Sequence, residues 1–367
     1  MSSPLVAIDA RMTRQMSVGM KTYVRELIKR LPKVAPDMRF VALTDEDVEL
    51  HPDMGVLRID KRVAGNGSFG ELFGLAKRIN AVRPVLGHYP TPYAPRWSPF
   101  PYVYTIHDLI HRRFPAYHSW KIPPYYALLV GPVARGAAAV IVPTKATVPD
   151  AREFLGVLPD RVKPVAMGVS ESFAAGAKAE RPAERGVAER FGLASTYFLY
   201  AGNHRKHKNV ETLVAAWARL EDACDLAITE DDPFDFDIDR YEKRGGRIVR
   251  LGHVGERDLI ALYAASAGVV QPSLYEGFGL TVIEAMAAGA PCVVADTPAL
   301  VETAGGAALT FPPRNIDALA RTLDRLLHDQ AESARLRVAG RGHASLYSWD
   351  ATARNTAAVY REAIGGA

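Results

Sequence analysis

The chain has 367 residues, 48% of them hydrophobic, with a net charge of +4. That length suits two domains of about 100–200 residues each; no apolar run approaches the roughly 18–20 residues that span a bilayer, and Met1–Asp9 lacks the basic start and apolar stretch of a secretion signal. Cys224 and Cys292 stand far apart in apolar contexts and read as buried thiols in a reducing cytoplasm, not as a disulfide or metal site.

Charge is uneven: residues 1–175 carry 23 Lys/Arg against 15 Asp/Glu, and residues 176–367 carry 22 against 26. A basic first half fits an anionic partner, such as a phospholipid surface or a lipid-linked pyrophosphate, or is a mildly basic domain and no more. Nucleic acid is disfavoured, since the chain has no zinc-finger spacing, no RNP-type aromatic motif and no dense Lys/Arg run.

In chain order, Leu5–Ile8 reads as a strand opening on Asp9, and Met20–Leu31 as a helix with Tyr23, Leu27, Ile28 and Leu31 on one face. Phe40–Leu43, Val56–Ile59, Val85–His88, Tyr102–Ile106 and Ala138–Val142 read as strands, with helices over Phe69–Val82 and Pro124–Arg135. Met167–Ser170 leads into Ala174–Gly186, rich in Ala, Gly, Lys, Glu and Arg without apolar periodicity; the linker is expected over 171–190. Alternation then resumes, with strands Tyr197–Ala201, Leu226–Thr229, Ile248–Leu251, Gly268–Gln271, Pro291–Ala295 and Ala307–Phe311. Helices are expected at 209–220, 256–265, 280–288 and 315–328, the last capped by Asn315. Short apolar strands separated by helices predict an α/β chain of two Rossmann-like doubly wound domains, 1–170 and 191–345, facing across a cleft. Ligands in such sheets bind at the carboxyl ends of the strands.

Ser273–Gly289 carries the most chemistry. The strand Gly268–Gln271 runs into a Gly-rich loop with Glu276, and a helix opens near Gly279 or Leu280 with Glu284 expected in its first turn. Unpartnered N–H groups and the helix dipole make an anion site there. The carboxylates suit sugar and ribose hydroxyls instead. Phosphate plus two polyols describes a nucleotide sugar. Glu276 and Glu284, with seven residues between them and Gly277-Phe278-Gly279-Leu280 inside, resemble the E-x7-E motif of the retaining glycosyltransferases of family four, which have the GT-B fold. The resemblance implies that Glu276 and the backbone of Gly277, Phe278, Gly279 and Leu280 serve the transferred sugar and phosphates, and that Glu284 holds the ribose.

Other segments fit the same resemblance. Tyr200–Asn209 sets three cations and two imidazoles on a loop that opens a helix, which suits a pyrophosphate or is a solvated basic loop. It is similar to the family's phosphate-gripping loop: Lys208 stands where the family has Lys, Asn203 stands where it more often has Arg, and Arg205 is the substitute. Thr105-Ile106-His107-Asp108 resembles the family's T-x-H-D segment; His107 would meet the sugar or acceptor, donating to a hydroxyl or phosphate or moving a proton, with Asp108 to orient it. Asp9–Tyr23 is similar to the family's first Gly-rich loop, with Gly19 just before a helix and Arg11 as a weaker candidate. Backbone near Gly252, His253 and Val254 would meet the base. Residues 111–126 mix aromatics with cations and are either an acceptor- or membrane-facing surface or a Pro-rich connection on the core. The acidic run Asp231–Asp237 lacks the Gly and distal Glu of a calcium loop. The end of the chain, about 346–367, resembles the GT-B closing helix that crosses back to the first domain.

Together these imply a metal-independent, retaining hexosyltransferase acting in the cytoplasm, with peripheral membrane contact through the basic domain. GDP-mannose is the favoured donor and no further cofactor or metal is expected. The acceptor would be a glycan or polyprenyl-linked sugar of bacterial surface polysaccharide. UDP-sugars, deoxysugar donors such as rhamnose, a nucleotide-sugar epimerase or phosphorylase, and a noncatalytic partner on the same fold stay open. The absence of G-x-G-x-x-G after the first strand disfavours a dinucleotide oxidoreductase.

Overall fold

A computed structural model describes residues 3–11, 17–59, 74–176, 186–230, 232–241 and 245–366. The beginning of the expected Phe69–Val82 helix, the middle of the expected linker and Asp231 lie outside these residues. The chain divides into two units, Met1–Gly168 with Trp349–Ala367, and Val169–Ser348.

The first unit is built on a parallel sheet of β1 (Leu5–Asp9), β2 (Arg39–Thr44), β3 (Met54–Arg58), β4 (Leu86–Tyr89), β5 (Tyr102–Thr105), β6 (Ala139–Val142) and β7 (Val162–Pro164), in the order β3-β2-β1-β4-β5-β6-β7. Ala7 of the central β1 pairs with Val41 on one side and Gly87 on the other. Strands β1, β4, β5 and β6 are almost wholly buried, as apolar strands covered on both faces must be. Helix Val18–Val34 starts at Ser17, whose hydroxyl accepts from Met20 N–H, and buries Tyr23, Val24, Leu27, Ile28 and Leu31. The sequence places Gly19 just ahead of this helix; the structure puts it inside the first turn, because Ser17 is the cap. The expected helix Pro124–Arg135 forms as abutting segments, Ile122–Tyr125, a π-turn Tyr126–Val130 and Gly131–Gly136. Pro132 cannot donate to the carbonyl four residues back, which accounts for the wide turn before it. Helix Trp349–Gly365 completes this unit. Thr352 donates to the Ala166 carbonyl at 2.9 Å, and Arg30 and Arg361 pair with Asp350 and Asp37.

The second unit has a parallel sheet of β8 (Tyr197–Tyr200), β9 (Asp225–Thr229), β10 (Ile248–Gly252), β11 (Gly268–Gln271), β12 (Cys292–Ala295) and β13 (Leu309–Phe311), in the order β10-β9-β8-β11-β12-β13. The strand order reverses between β8 and β11, so the loops leaving their carboxyl ends flank a crevice. Asn315 caps helix Ile316–His328 by accepting from Ala318 N–H at 2.9 Å. Two short helices, Glu171–Gly176 and Val187–Arg190, lie within the stretch expected to be linker. Among the described side chains each buries one apolar residue, Phe173 or Val187, and a single anchor leaves no periodicity to read.

Candidate functional site

In the second unit the two switch-point loops are stitched together. Leu274 N–H donates to the His207 carbonyl at 2.8 Å, and Asn209 Nδ2 donates to the Pro272 carbonyl at 3.0 Å. Asn209 takes a left-handed conformation (φ 55°) to turn from Lys206–Lys208 into helix Val210–Trp217. This stitching brings Lys208 to Glu276: Nζ lies 2.7 Å from Oε1. The same oxygen accepts from Gln271 Nε2 at 2.9 Å and Ser273 Oγ at 2.7 Å. Burial acts to raise the Glu276 carboxyl, but the Lys208 charge and the bonds from Lys208 and Ser273 outweigh it, with His207 adding to them, and the net shift is downward. Glu276 is therefore a fixed carboxylate that shares its cation.

The helix that follows, Leu280–Ala287, starts at Gly279, whose φ of 99° is costly for any other residue. A Cβ there would also meet Leu300 Cδ2 at 2.7 Å. The Phe278 carbonyl is held by Thr303 Oγ1 at 2.6 Å, and the Phe278 ring is buried against Tyr347. The backbone of 277–280 is thus fixed from behind; Val282 N–H donates to the Gly279 carbonyl at 2.9 Å, while Leu280 and Thr281, at the helix start, have no carbonyl four residues back within the helix to donate to. Because the helix starts at Leu280, Glu284 falls in its second turn, not the first. Among the described residues nothing donates a hydrogen bond to its carboxyl. Burial, then the charge of Glu256, pushes its carboxyl up to about 8. The Tyr263 hydroxyl, buried without a hydrogen-bond partner among the described residues, has its own acidity suppressed by burial and then by Glu284.

The basic loop divides in two. Arg205 is exposed, Lys206 reaches Asp235 at 3.8 Å, and the Asn203 side chain accepts from Arg205 N–H at 3.4 Å. The two imidazoles turn inward. His204 sits between the carbonyls of Asp232 (2.6 Å) and Thr229 (2.9 Å) and stacks on Phe234 at 4.2 Å, and His207 is buried. Val254 follows the edge strand β10 with its side chain buried; His253 is exposed, 3.7 Å from Glu230. Among the described residues the one close trio of metal-type side chains is Asp222, Asp324 and His328, all exposed.

In the first unit, Arg11 is buried and forked onto Asp9, at 2.8 Å and 2.6 Å, and also reaches the Tyr93 carbonyl. That pairing fixes the loop after β1. His107 leaves β5 half-buried, with Nε2 2.9 Å from the Pro90 carbonyl. Asp108 does not orient it by a hydrogen bond: Asp108 Oδ1 accepts from Ile110 N–H, two residues on, at 3.1 Å. A carbonyl only accepts, so Nε2 carries the proton. Burial pulls the imidazole below its usual range, against the opposing pull of Pro90 and Asp108, and leaves it neutral. Its one N–H is taken, so the expected donation to a hydroxyl or phosphate gives way to acceptance at Nδ1.

Gln271 and Ser273 were missed as site residues. The signal for Gln271 was an amide ending an otherwise apolar strand, and for Ser273 a hydroxyl three residues before Glu276.

The model described as "Glycosyl transferases group 1" matches residues 188–343, and the one described as "Glycosyltransferase Family 4" matches residues 18–173. The chain is 31% identical to O-antigen chain mannosyltransferase B of Escherichia coli over 185 residues, 48% of each protein, so the match spans about half the length of that relative. It is 28% identical to D-inositol 3-phosphate glycosyltransferase of Salinispora arenicola, over 94% of this chain and 87% of that one. Among solved structures it is similar to Anabaena HepE in complex with UDP and glucose, with a TM-score of 0.73 and 18% identity over 98% of this chain and 100% of that one, a likeness of fold. Two models that follow one another along most of the chain, on two parallel-sheet units, place it plainly: the chain belongs to the GT-B glycosyltransferases of family four.

Proposed function

We propose that the protein transfers a hexose, mannose in the first instance, from a nucleotide sugar to a hydroxyl of a glycan or lipid-linked acceptor in bacterial surface polysaccharide, with retention of configuration and without a metal. The carrying observation is the Lys208–Glu276 pair, held at 2.7 Å beside a helix start built on Gly279. A carboxylate for sugar hydroxyls and a cation for pyrophosphate are thereby set side by side. Arg205 and the first-turn amides set positive charge where the leaving diphosphate develops negative charge, the task a metal performs elsewhere. Glu284 takes the ribose. With these groups fixed, the acceptor attacks from the face of the leaving group, and the donor phosphate takes its proton. The chain supplies positioning and charge stabilisation.

Mannose is favoured by the name of the Escherichia coli relative. Among the described residues no helix is long and apolar enough to cross a membrane. Peripheral contact is supported by exposed Trp97, Trp120 and Leu128 in the first unit, with Lys121 beside the Trp120 ring.

The test is a thermal-shift and donor-hydrolysis screen with GDP-mannose, UDP-glucose, UDP-N-acetylglucosamine, GDP-rhamnose and dTDP-rhamnose, with and without EDTA. GDP-mannose should raise the melting temperature and be slowly hydrolysed in EDTA, and Glu284→Ala should lose both effects. A response to a different donor reassigns the sugar. No response to any donor, or one untouched by Glu284→Ala, sinks the donor site.

A further inference from the structure

Behind His107 in the first unit lies a closed run of buried hydroxyls and one imidazole. The Tyr360 hydroxyl is 2.6 Å from His88 Nδ1, and His88 Nε2 is 2.8 Å from Thr105 Oγ1. Thr105 Oγ1 is 3.4 Å from the Tyr23 hydroxyl, Tyr23 also bonds Thr356, and Thr356 Oγ1 donates to the Thr352 carbonyl at 2.8 Å. His88 is fully buried and held neutral, its imidazole pushed down to about 3 by burial and then by His107. It has one N–H to give. One assignment then satisfies every proton: Tyr360 donates to His88, His88 Nε2–H to Thr105, Thr105 to Tyr23, Tyr23 to Thr356, and Thr356 to the backbone. The run starts and ends on helix Trp349–Gly365. It fixes the Tyr23 ring, which meets the His107 ring at 4.9 Å and 83°.

We propose that Tyr23 is a positioning residue for His107: its ring, pinned by this run, holds the imidazole with Nε2–H on the Pro90 carbonyl and presents Nδ1 as a bare acceptor for a ligand hydroxyl. Without that wall the imidazole can turn about its side-chain bonds and exchange its two nitrogens against Pro90. The naming of a hydroxyl rests on the glycosyl-transfer reading. The tautomer and its support by Tyr23 do not.

Long-range nitrogen–proton correlation spectra of histidine-labelled full-length protein read which ring nitrogen carries the proton. In the wild type His107 should appear as the single Nε2–H tautomer. Tyr23→Met keeps apolar volume but removes the ring, and should turn His107 into a mixture of tautomers. Tyr23→Phe keeps the ring but removes the hydroxyl that pins it, and should give a mixture with a smaller share of the second tautomer. An Nδ1–H or mixed His107 in the wild type, or an unchanged spectrum in a folded Tyr23→Met or Tyr23→Phe, would each overturn the proposal. If Tyr23→Met does not fold, the wild-type and Tyr23→Phe spectra still decide it. Neither readout needs substrate, so a failed donor screen and a failed tautomer prediction are told apart.

Discussion

Glu276 and Glu284 are the same chemical group in opposite settings. Glu276 is held low by Lys208 against its own burial, while Glu284, with no cation beside it among the described residues, is pushed up to about 8 by burial and Glu256. The raised group stabilises the fold fully below its unfolded value near 4.5, and that contribution is lost as pH rises through about 8. Glu284→Gln removes the linkage. Its stability relative to the wild type should therefore climb between pH 5 and pH 8.5, by on the order of 2 kcal/mol once the partial solvent exposure of the residue is allowed for. Urea titrations at the two pH values check this, and a gap independent of pH refutes it. At this scale the charged partners were legible, because Lys208 and Glu276 each carry their chemistry in their identity. Gln271 and Ser273 were not, since their role exists only once the loop folds their donors back onto Glu276 Oε1. Which nitrogen of His107 is protonated was equally hidden, being set by the Pro90 carbonyl, 17 residues away.

Two glycines show how much an element depends on one backbone angle. At Gly279 a side chain would meet both a left-handed φ and the Leu300 methyl; at Gly19, in the first turn of its helix, a Cβ meets nothing within 4 Å. Gly279→Ala should cost about 1–3 kcal/mol in chemical denaturation and weaken donor binding, whereas Gly19→Ala should be neutral or stabilising by up to about 1 kcal/mol. Equal effects at the two positions would contradict the assignment of Gly279 as the helix-starting turn. The strands other than β7 were readable as short apolar runs because a sheet buried on both faces demands them; β7 has three residues and buries only Val162, too little to read. Helices were less so. Val148–Leu155 and Pro298–Ala304 are brief, and Gln330–Ala344 buries only Leu336, Gly340 and Ala344, too narrow a stripe for periodicity to register.

The first unit needs two stretches of chain, and the second only one. Val169–Ser348 should accordingly fold as an isolated fragment and keep nucleotide affinity. The same chain cut after Ser348 should expose the buried faces of Tyr23 and His88 and lose solubility. Size-exclusion chromatography and nucleotide thermal shift on the two fragments check both outcomes, and a soluble, cooperatively melting 1–348 would contradict them. Doubly wound topology was legible from the alternation of elements. The ownership of helix Trp349–Gly365 was legible only through the resemblance of the chain's end to the GT-B closing helix, because its partners, Asp37, Arg30, His88 and Ala166, are scattered across the distant first part of the chain. That ownership sets an order of events on the ribosome. Residues 1–168 emerge early but must wait, with an uncovered apolar face, through the synthesis of an entire second unit. A chaperone holding the nascent first unit, or a pause that lets the second unit finish folding, has its natural place in that interval.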